Sequence, residues 1–408
     1  FVDLARKMLP LYVDDIDEEI LDGIIVSSYE EFDHSDVVSL KPLNDIHVLE
    51  LFHGPTLAFK DIALQLLSRL FAHVLELKKK KINILGATSG DTGSAAIAGI
   101  RGKPNMDIFI MYPDQRVSPL QELQMTTVSD QNVHCMAMQG SFDDCQNLMK
   151  NVFGDLEFKS EFGLSAVNSV NWARILPQIV YYGYASLKFD QPCSFSVPTG
   201  NFGNVFAAFL AKKMGFPIDK LIVGTNENDI LSRFFADNTY SRGDVHFTLS
   251  PAMDIQVASN FERYLYYQSG ENAELVANCM REFSSSGKRK MDGVQPTDFF
   301  LSASVKTDKM IEALRYAYTE FNYLLDPHSA IGYAAAKIFS KDLDGPLVTI
   351  ATAHPAKFPD AMSEANIKPL PTHLKLESLK GLATRRDVLP VNEGHLKGYI
   401  RERASSLY

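Results

Sequence analysis

One alternation, met twice along the chain, restricts the fold more than any other feature. A short apolar run gives way to a loop of glycines and small polar residues, then to a helix, then to a second apolar run. In the first instance a strand over residues 81–85 precedes Gly86-Ala87-Thr88-Ser89-Gly90-Asp91-Thr92-Gly93-Ser94, a helix carrying Ala95, Ala96 and Ala98, and a strand over 107–112. In the second, a strand over 194–197 precedes Pro198-Thr199-Gly200-Asn201-Phe202-Gly203-Asn204, a helix over 205–214 halted at Gly215, and a strand beginning at Leu221. Strand, loop, helix and strand in this order make a βαβ unit, and such units build parallel sheets covered by helices. Residues 132–138 and 142–153 continue the alternation as a strand and a helix. The class is therefore α/β. At 408 residues the chain exceeds one ordinary core, so more than one domain is required.

The first N–H groups of a helix lack intrahelical partners and sit at the positive end of its dipole, so each loop can receive an anion. Thr88, Ser89 and Thr92 add hydroxyl donors to the first loop, although the same residues also suit a plain tight turn. Gly200 and Gly203 let the second loop close on an anion. That loop is not the G-x-G-x-x-G fingerprint and no Walker lysine follows it, which disfavours a nicotinamide or ATP site. The terminal phosphate of a smaller cofactor fits better.

A third stretch carries a nucleophile. In Phe52-His53-Gly54-Pro55-Thr56-Leu57-Ala58-Phe59-Lys60-Asp61, a Gly-Pro turn delivers one lysine to the start of an amphipathic helix over 62–77. Leu57, Ala58, Phe59, Ile62, Ala63 and Leu64 surround Lys60 with groups that cannot solvate an ammonium. Desolvation favours the neutral amine, the form that attacks a carbonyl and makes a Schiff base. The competing reading is a lysine whose head snorkels to water. Lys78, Lys79, Lys80 and Lys81 at the far end are a solvated run at the negative end of the helix dipole.

Asn168-Ser169-Val170-Asn171-Trp172-Ala173-Arg174 leads into another helix. It reads either as a helix cap followed by a solvated arginine, or as an amide, hydroxyl and guanidinium set that grips a phosphate. Asp326-Pro327-His328-Ser329 is a turn into a helix, with His328 read as a turn-stabilising residue. The buried strand over 347–351 ends at Thr352, placed where ligands gather in open α/β sheets. Residues 1–50 read as a helical cap, 225–300 as an irregular insertion without chemistry, and the part beyond about 370 as a charged peripheral tail.

Composition excludes several classes. A net charge of −10 is a poor match to a nucleic-acid surface, and no apolar run is long enough to span a bilayer. Cys135, Cys145, Cys193 and Cys279 show no C-x-x-C spacing and no neighbouring histidines, so neither a disulfide framework nor a metal site is expected. The chain opens on Phe1, and its first twelve residues lack the pattern of a secretory signal, which makes cytoplasm the expected location.

Taken in order and at these distances, residues 53–61, 87–93, 168–174, 198–204 and 351–358 resemble the threonine synthase family, in the branch found in many bacteria and fungi. The resemblance implies two open-sheet α/β domains of the fold-type II pyridoxal-phosphate (PLP) class, similar to the tryptophan synthase β subunit, with a helical N-terminal cap. It divides the chain into that cap (1–50), a large PLP-binding domain (51–80 and 185–365), a small mobile domain (81–184) and a tail (366–408). Lys60 resembles the lysine that holds PLP as a Schiff base. Gly200, Asn201, Phe202, Gly203 and Asn204 match the loop that cradles the cofactor phosphate, and Thr352 the hydroxyl residue facing the pyridine nitrogen. Asp91 stands near the cofactor's ring oxygen, where many relatives carry asparagine. Thr88, Ser89, Asn168, Ser169 and Arg174 match positions that receive the substrate's carboxylate and phosphate. The implied reaction converts O-phospho-L-homoserine and water to L-threonine and phosphate, in a monomer or weak homo-oligomer with no nucleic-acid or membrane partner. Two alternatives stay open: a related phospho-lyase yielding a 2-oxoacid, and a non-catalytic phosphometabolite-binding protein.

Overall fold

Apolar runs bounded by glycine loops become strands of the two main sheets in the computed structural model, which describes residues 1–88, 90–294 and 297–404. Each sheet belongs to one of two compact units. Phe1–Asp14, Asp33–His53 and Trp172–Pro371 form the first; Asp15–Phe32, Gly54–Asn171 and the chain from Thr372 form the second.

In the first unit six strands run in the order Ser39–Leu43, Ile46–Glu50, Leu347–Ala351, Cys193–Pro198, Ile218–Thr225, Phe300–Ser304. All neighbours are parallel except the first pair, a hairpin whose turn passes through Asn44 at φ 56°, a conformation asparagine tolerates. Every residue of Leu347–Ala351 and Cys193–Pro198 is buried, as expected for central parallel strands covered on both faces. The helix Gly203–Lys213 follows the second of these strands directly.

The second unit holds five parallel strands in the order Asp387–Pro390, Val133–Gln139, Met106–Pro113, Ile82–Ala87, Leu164–Ser165. Met106–Pro113 is buried along its whole length. The helix Asp91–Ile100 follows Ile82–Ala87. Both βαβ units expected from the sequence are therefore present, with ends shifted by up to three residues.

Three segments differ from the sequence expectation. Within the first fifty residues only Val2–Met8 and Glu18–Tyr29 are α-helices; the stretch after residue 38 supplies the hairpin, where Ile46, Val48 and Leu49 are fully buried. The charged tail is more than peripheral. Asp387–Pro390 extends the second sheet, and the helix Glu393–Arg403 buries Leu396, Tyr399 and Ile400 against Phe109, Met136 and Met138. Its charges mislead because the apolar contacts lie on one helix face only. The described residues between 225 and 300 include an aromatic cluster: Phe234 lies 4.6 Å from Phe261, Phe235 4.8 Å from Phe300, and Phe261 5.5 Å from Phe202. No described helix is long and apolar enough to cross a membrane. All four cysteines are free and buried.

Candidate active site

In the second unit the turn over residues 54–61 is organised by one carboxylate. Asp61, fully buried, accepts the Thr56 N–H at 2.8 Å and the Thr56 hydroxyl at 2.6 Å. Leu57 takes φ 62° inside this turn, and the helix Lys60–Lys78 begins immediately after it. Lys60 is thus a first-turn residue with its side chain 13% exposed. Its amine stands 3.6 Å from the Asp91 carboxylate and 4.8 Å from the Phe59 ring centre. The sequence reading surrounded this amine with apolar groups alone. The structure adds an opposite charge beside it.

Asp91 is held in turn. It opens the helix Asp91–Ile100, and its second oxygen accepts Gln121 Nε2 at 2.8 Å. Gly90, just before it, sits at φ 137°, and a Cβ there would lie 2.5 Å from Gln121, so both conformation and contact demand glycine. Thr88 Oγ accepts the N–H groups of Gly90 at 3.0 Å and Gly93 at 2.9 Å. Its hydroxyl therefore shapes the loop and satisfies two of the N–H groups that the sequence reading offered to an anion, leaving its own proton to donate. Ser89 lies outside the described residues. Asn168 is exposed and Ser169 half-buried at the end of the same unit.

The first unit contributes the other loop. After Cys193–Pro198, Thr199 N donates to the Gly224 carbonyl at 2.8 Å and its hydroxyl to the Val197 carbonyl at 2.7 Å. A Cβ on Gly200 would meet the Ala252 carbonyl at 2.8 Å, so only glycine fits. Asn201 is tied by its carbonyl to Asn260 N at 3.1 Å and by its side chain to the Ser259 hydroxyl at 3.1 Å. Phe202 adopts φ 63°, a costly backbone for a bulky side chain, and is 1% exposed within the aromatic cluster. Strain of this kind persists where the surroundings hold it, and here it falls at the residue that precedes the helix Gly203–Lys213.

Among the buried polar atoms of this unit that have no protein partner are one in Asn204 and one in Arg174. Asn204 Oδ1 accepts from Tyr181 at 2.5 Å and Tyr182 at 2.7 Å, but its Nδ2 is buried and unpaired. Arg174 is 6% exposed on the helix Trp172–Ser186, with Nε unpaired and no carboxylate beside it among the described residues. Burial lowers its pKa to about 10, which leaves it charged at neutral pH. A desolvated guanidinium without a counter-charge is strongly unfavourable unless a ligand supplies the anion. Trp172 opens the last segment of the first unit, so Arg174 and the pair Asn168 and Ser169 belong to different units. Thr352, 7% exposed after the strand Leu347–Ala351, donates its N–H to Ser329 Oγ at 2.9 Å. Sequence reasoning missed Gln121, and it missed what Asp326 and Ser329 reach; the Asp-Pro-x-Ser turn was visible, its distant partners were not.

Comparison with known proteins places the chain in a family. The family described as "Pyridoxal-phosphate dependent enzyme" matches residues 37–285, and that described as "Threonine synthase, C-terminal" matches residues 329–400. A threonine synthase of Pseudomonas aeruginosa is 48% identical, over 98% of this chain and 87% of its own length. The chain belongs to the threonine synthase family. The Saccharomyces cerevisiae threonine synthase is 42% identical over 96% of this chain and 82% of its own length. The crystal structure of PLP-bound threonine synthase from Brucella melitensis superposes with a TM-score of 0.93 at 42% identity, over 99% of this chain and 88% of that one. The fold is accordingly that of the fold-type II PLP enzymes, and the cofactor of this threonine synthase family member is PLP.

The residues present fit that cofactor. Lys60 supplies a primary amine on a rigid helix start. The loop at Gly200 is a cradle that a single Cβ would fill, and the unpaired Asn204 amide and Arg174 guanidinium are donors of the kind phosphates take.

Proposed function

We propose that this chain carries out the threonine synthase reaction, converting O-phospho-L-homoserine and water to L-threonine and phosphate. The observation that carries this reading is Lys60, a half-buried amine at the head of its helix with Asp91 3.6 Å away. PLP, when bound, supplies the electron sink that stabilises negative charge at the substrate's Cα. Lys60 holds the cofactor and, once free of it, takes and returns protons at the substrate's Cα and Cβ. Asp91 restrains the amine from 3.6 Å away. The N–H groups of Gly200, Asn201, Phe202, Gly203 and Asn204 would hold the cofactor phosphate, and the Thr352 hydroxyl would serve its pyridine nitrogen, a partner that would not require that nitrogen to be protonated.

Arg174 receives the substrate phosphate and neutralises the charge that grows as it departs from Cγ. That no carboxylate of the described residues stands beside it, and that its Nε is unpaired, supports this role. Thr88, Ser89, Asn168 and Ser169 bind the substrate's carboxylate and phosphate. The buried unpaired thiols suit a reducing compartment, which supports a cytoplasmic location.

The test is spectroscopic and chemical. Wild-type protein incubated with PLP should develop a visible absorption band, and borohydride reduction followed by peptide mapping should place the pyridoxyl mass on Lys60. Lys60→Ala should fold, lose the band and lose turnover. Amino-acid chromatography should find threonine from phosphohomoserine. A tag on another side chain, or an oxoacid with ammonia in place of threonine, overturns the assignment.

A further inference from the structure

The structure assigns to Asp326 a positioning role: one buried carboxylate is the common end of two hydrogen-bond chains, one from the floor of the loop at Gly200 and one from Thr352. The inference rests on the reading above that these two places face the cofactor. All of its members lie in the first unit.

The first chain starts at the backbone of Ala252. Its N–H donates to His328 Nε2 at 3.3 Å, so that nitrogen carries no proton. The ring proton is then on Nδ1, which donates to Asp326 Oδ1 at 2.8 Å. Ala252 is also the residue whose carbonyl lies 2.8 Å from where a Cβ of Gly200 would stand. The phosphate loop therefore rests on a backbone segment that the imidazole holds by its amide. The His328 ring is itself braced edge-on against Phe358 at 5.1 Å.

The second chain starts at the backbone of Thr352. Its N–H donates to Ser329 Oγ at 2.9 Å, and the Ser329 hydroxyl donates to Asp326 Oδ2. Each group thus accepts from one side and donates toward Asp326 on the other, and the serine cannot reverse without abandoning one partner. Asp326 also caps the helix Pro327–Phe339, accepting the His328 N–H at 3.0 Å. Asp326 and Ser329 are fully buried and His328 is 5% exposed. In so dry a setting charge-assisted hydrogen bonds hold geometry strongly. A helix cap needs only the local bonds; the reach to Ala252 and Thr352 is what a cap alone does not explain.

The two branches make separable predictions. Holoprotein carrying Ser329→Ala should show a shifted visible cofactor band, because the Thr352 end has lost its anchor, with the phosphorus NMR resonance of the bound cofactor unchanged. His328→Phe keeps a ring against Phe358 and should do the reverse, moving the phosphorus resonance and leaving the band in place. Asp326→Asn, which cannot accept from both branches, should alter both signals and weaken PLP binding by roughly tenfold or more, measured by fluorescence titration. Should Asp326→Asn fail to fold, the two single-branch variants decide the matter alone. If they melt at lower temperature yet leave both signals where the wild type has them, the role is structural and the inference is wrong. Wild-type protein that takes up no PLP would instead overturn the functional reading on which the inference stands.

Discussion

Asp61 is the residue whose replacement tests most directly how the lysine is presented. Its two oxygens accept the Thr56 N–H at 2.8 Å and the Thr56 hydroxyl at 2.6 Å, with both residues buried. Hydrogen bonds to a charged acceptor contribute about 1.5–3 kcal/mol each, against about 1 kcal/mol for neutral ones. Asparagine has nearly the same volume. Its carbonyl can keep the Thr56 N–H, and its amide can donate to the Thr56 hydroxyl oxygen once that hydroxyl turns. What is lost is the charge on two bonds, about 2 kcal/mol in all. Alanine removes both bonds and strands a buried N–H, for about 4 kcal/mol. At 1.4 kcal/mol per factor of ten, local opening should become about 30-fold more frequent in Asp61→Asn and about 1,000-fold in Asp61→Ala. Hydrogen exchange read by mass spectrometry on the peptide spanning residues 54–61 reports this opening directly. The strand Met106–Pro113, buried along its length, serves as the internal control and should not change. Cofactor loading should follow the same rank order, since Lys60 begins the helix this turn launches. Equal exchange in the two variants, or exchange within threefold of wild type in the alanine variant, would falsify the claim that this carboxylate holds the turn.

Arg174→Met should leave thermal stability unchanged or slightly higher, because it removes a buried charge that no protein group balances, while activity falls by about 100-fold or more and PLP loading persists; loss of PLP in place of activity would mean that Arg174 serves the cofactor phosphate. Gly200→Ala would drive a methyl to 2.8 Å from the Ala252 carbonyl, so the apoprotein should lose about 1–3 kcal/mol and bind PLP more weakly, and an unchanged melt and titration would refute the close approach. The Glu50 carboxyl, 7% exposed, is pushed up by burial but pulled down more strongly by hydrogen bonds from His53 at 3.1 Å and Tyr323 at 2.8 Å, for a net fall below its ordinary 4.5. A lowered carboxylate pKa stabilises the fold above the ordinary value and ceases to as the pH drops through the lower, folded-state value. The melting-temperature gap between wild type and Glu50→Gln should therefore be full above pH 4.5 and close below it, and a gap that is constant with pH would contradict the assignment.

By itself the chain determined whatever is written in neighbouring residues. Apolar runs broken by glycine loops specified both βαβ units, and a turn ahead of a helix marked Lys60, because periodicity and turn chemistry act over a few residues. Likewise the glycine loop at residues 198–204 leading into a helix was legible, since turn chemistry and a helix start are local features. Only the tertiary structure decided which groups those positions meet. It set Asp91 against the Lys60 amine, turned Thr88 inward to its own loop, consumed the Asn204 carbonyl with Tyr181 and Tyr182, and left Arg174 without a counter-charge. It likewise made a sheet edge of residues 387–390 and a hairpin of residues 39–50, where charge and helical spacing had pointed elsewhere. Such pairings depend on distance after folding, and a buried polar atom finds its partner through packing between segments remote in sequence, which no local pattern encodes.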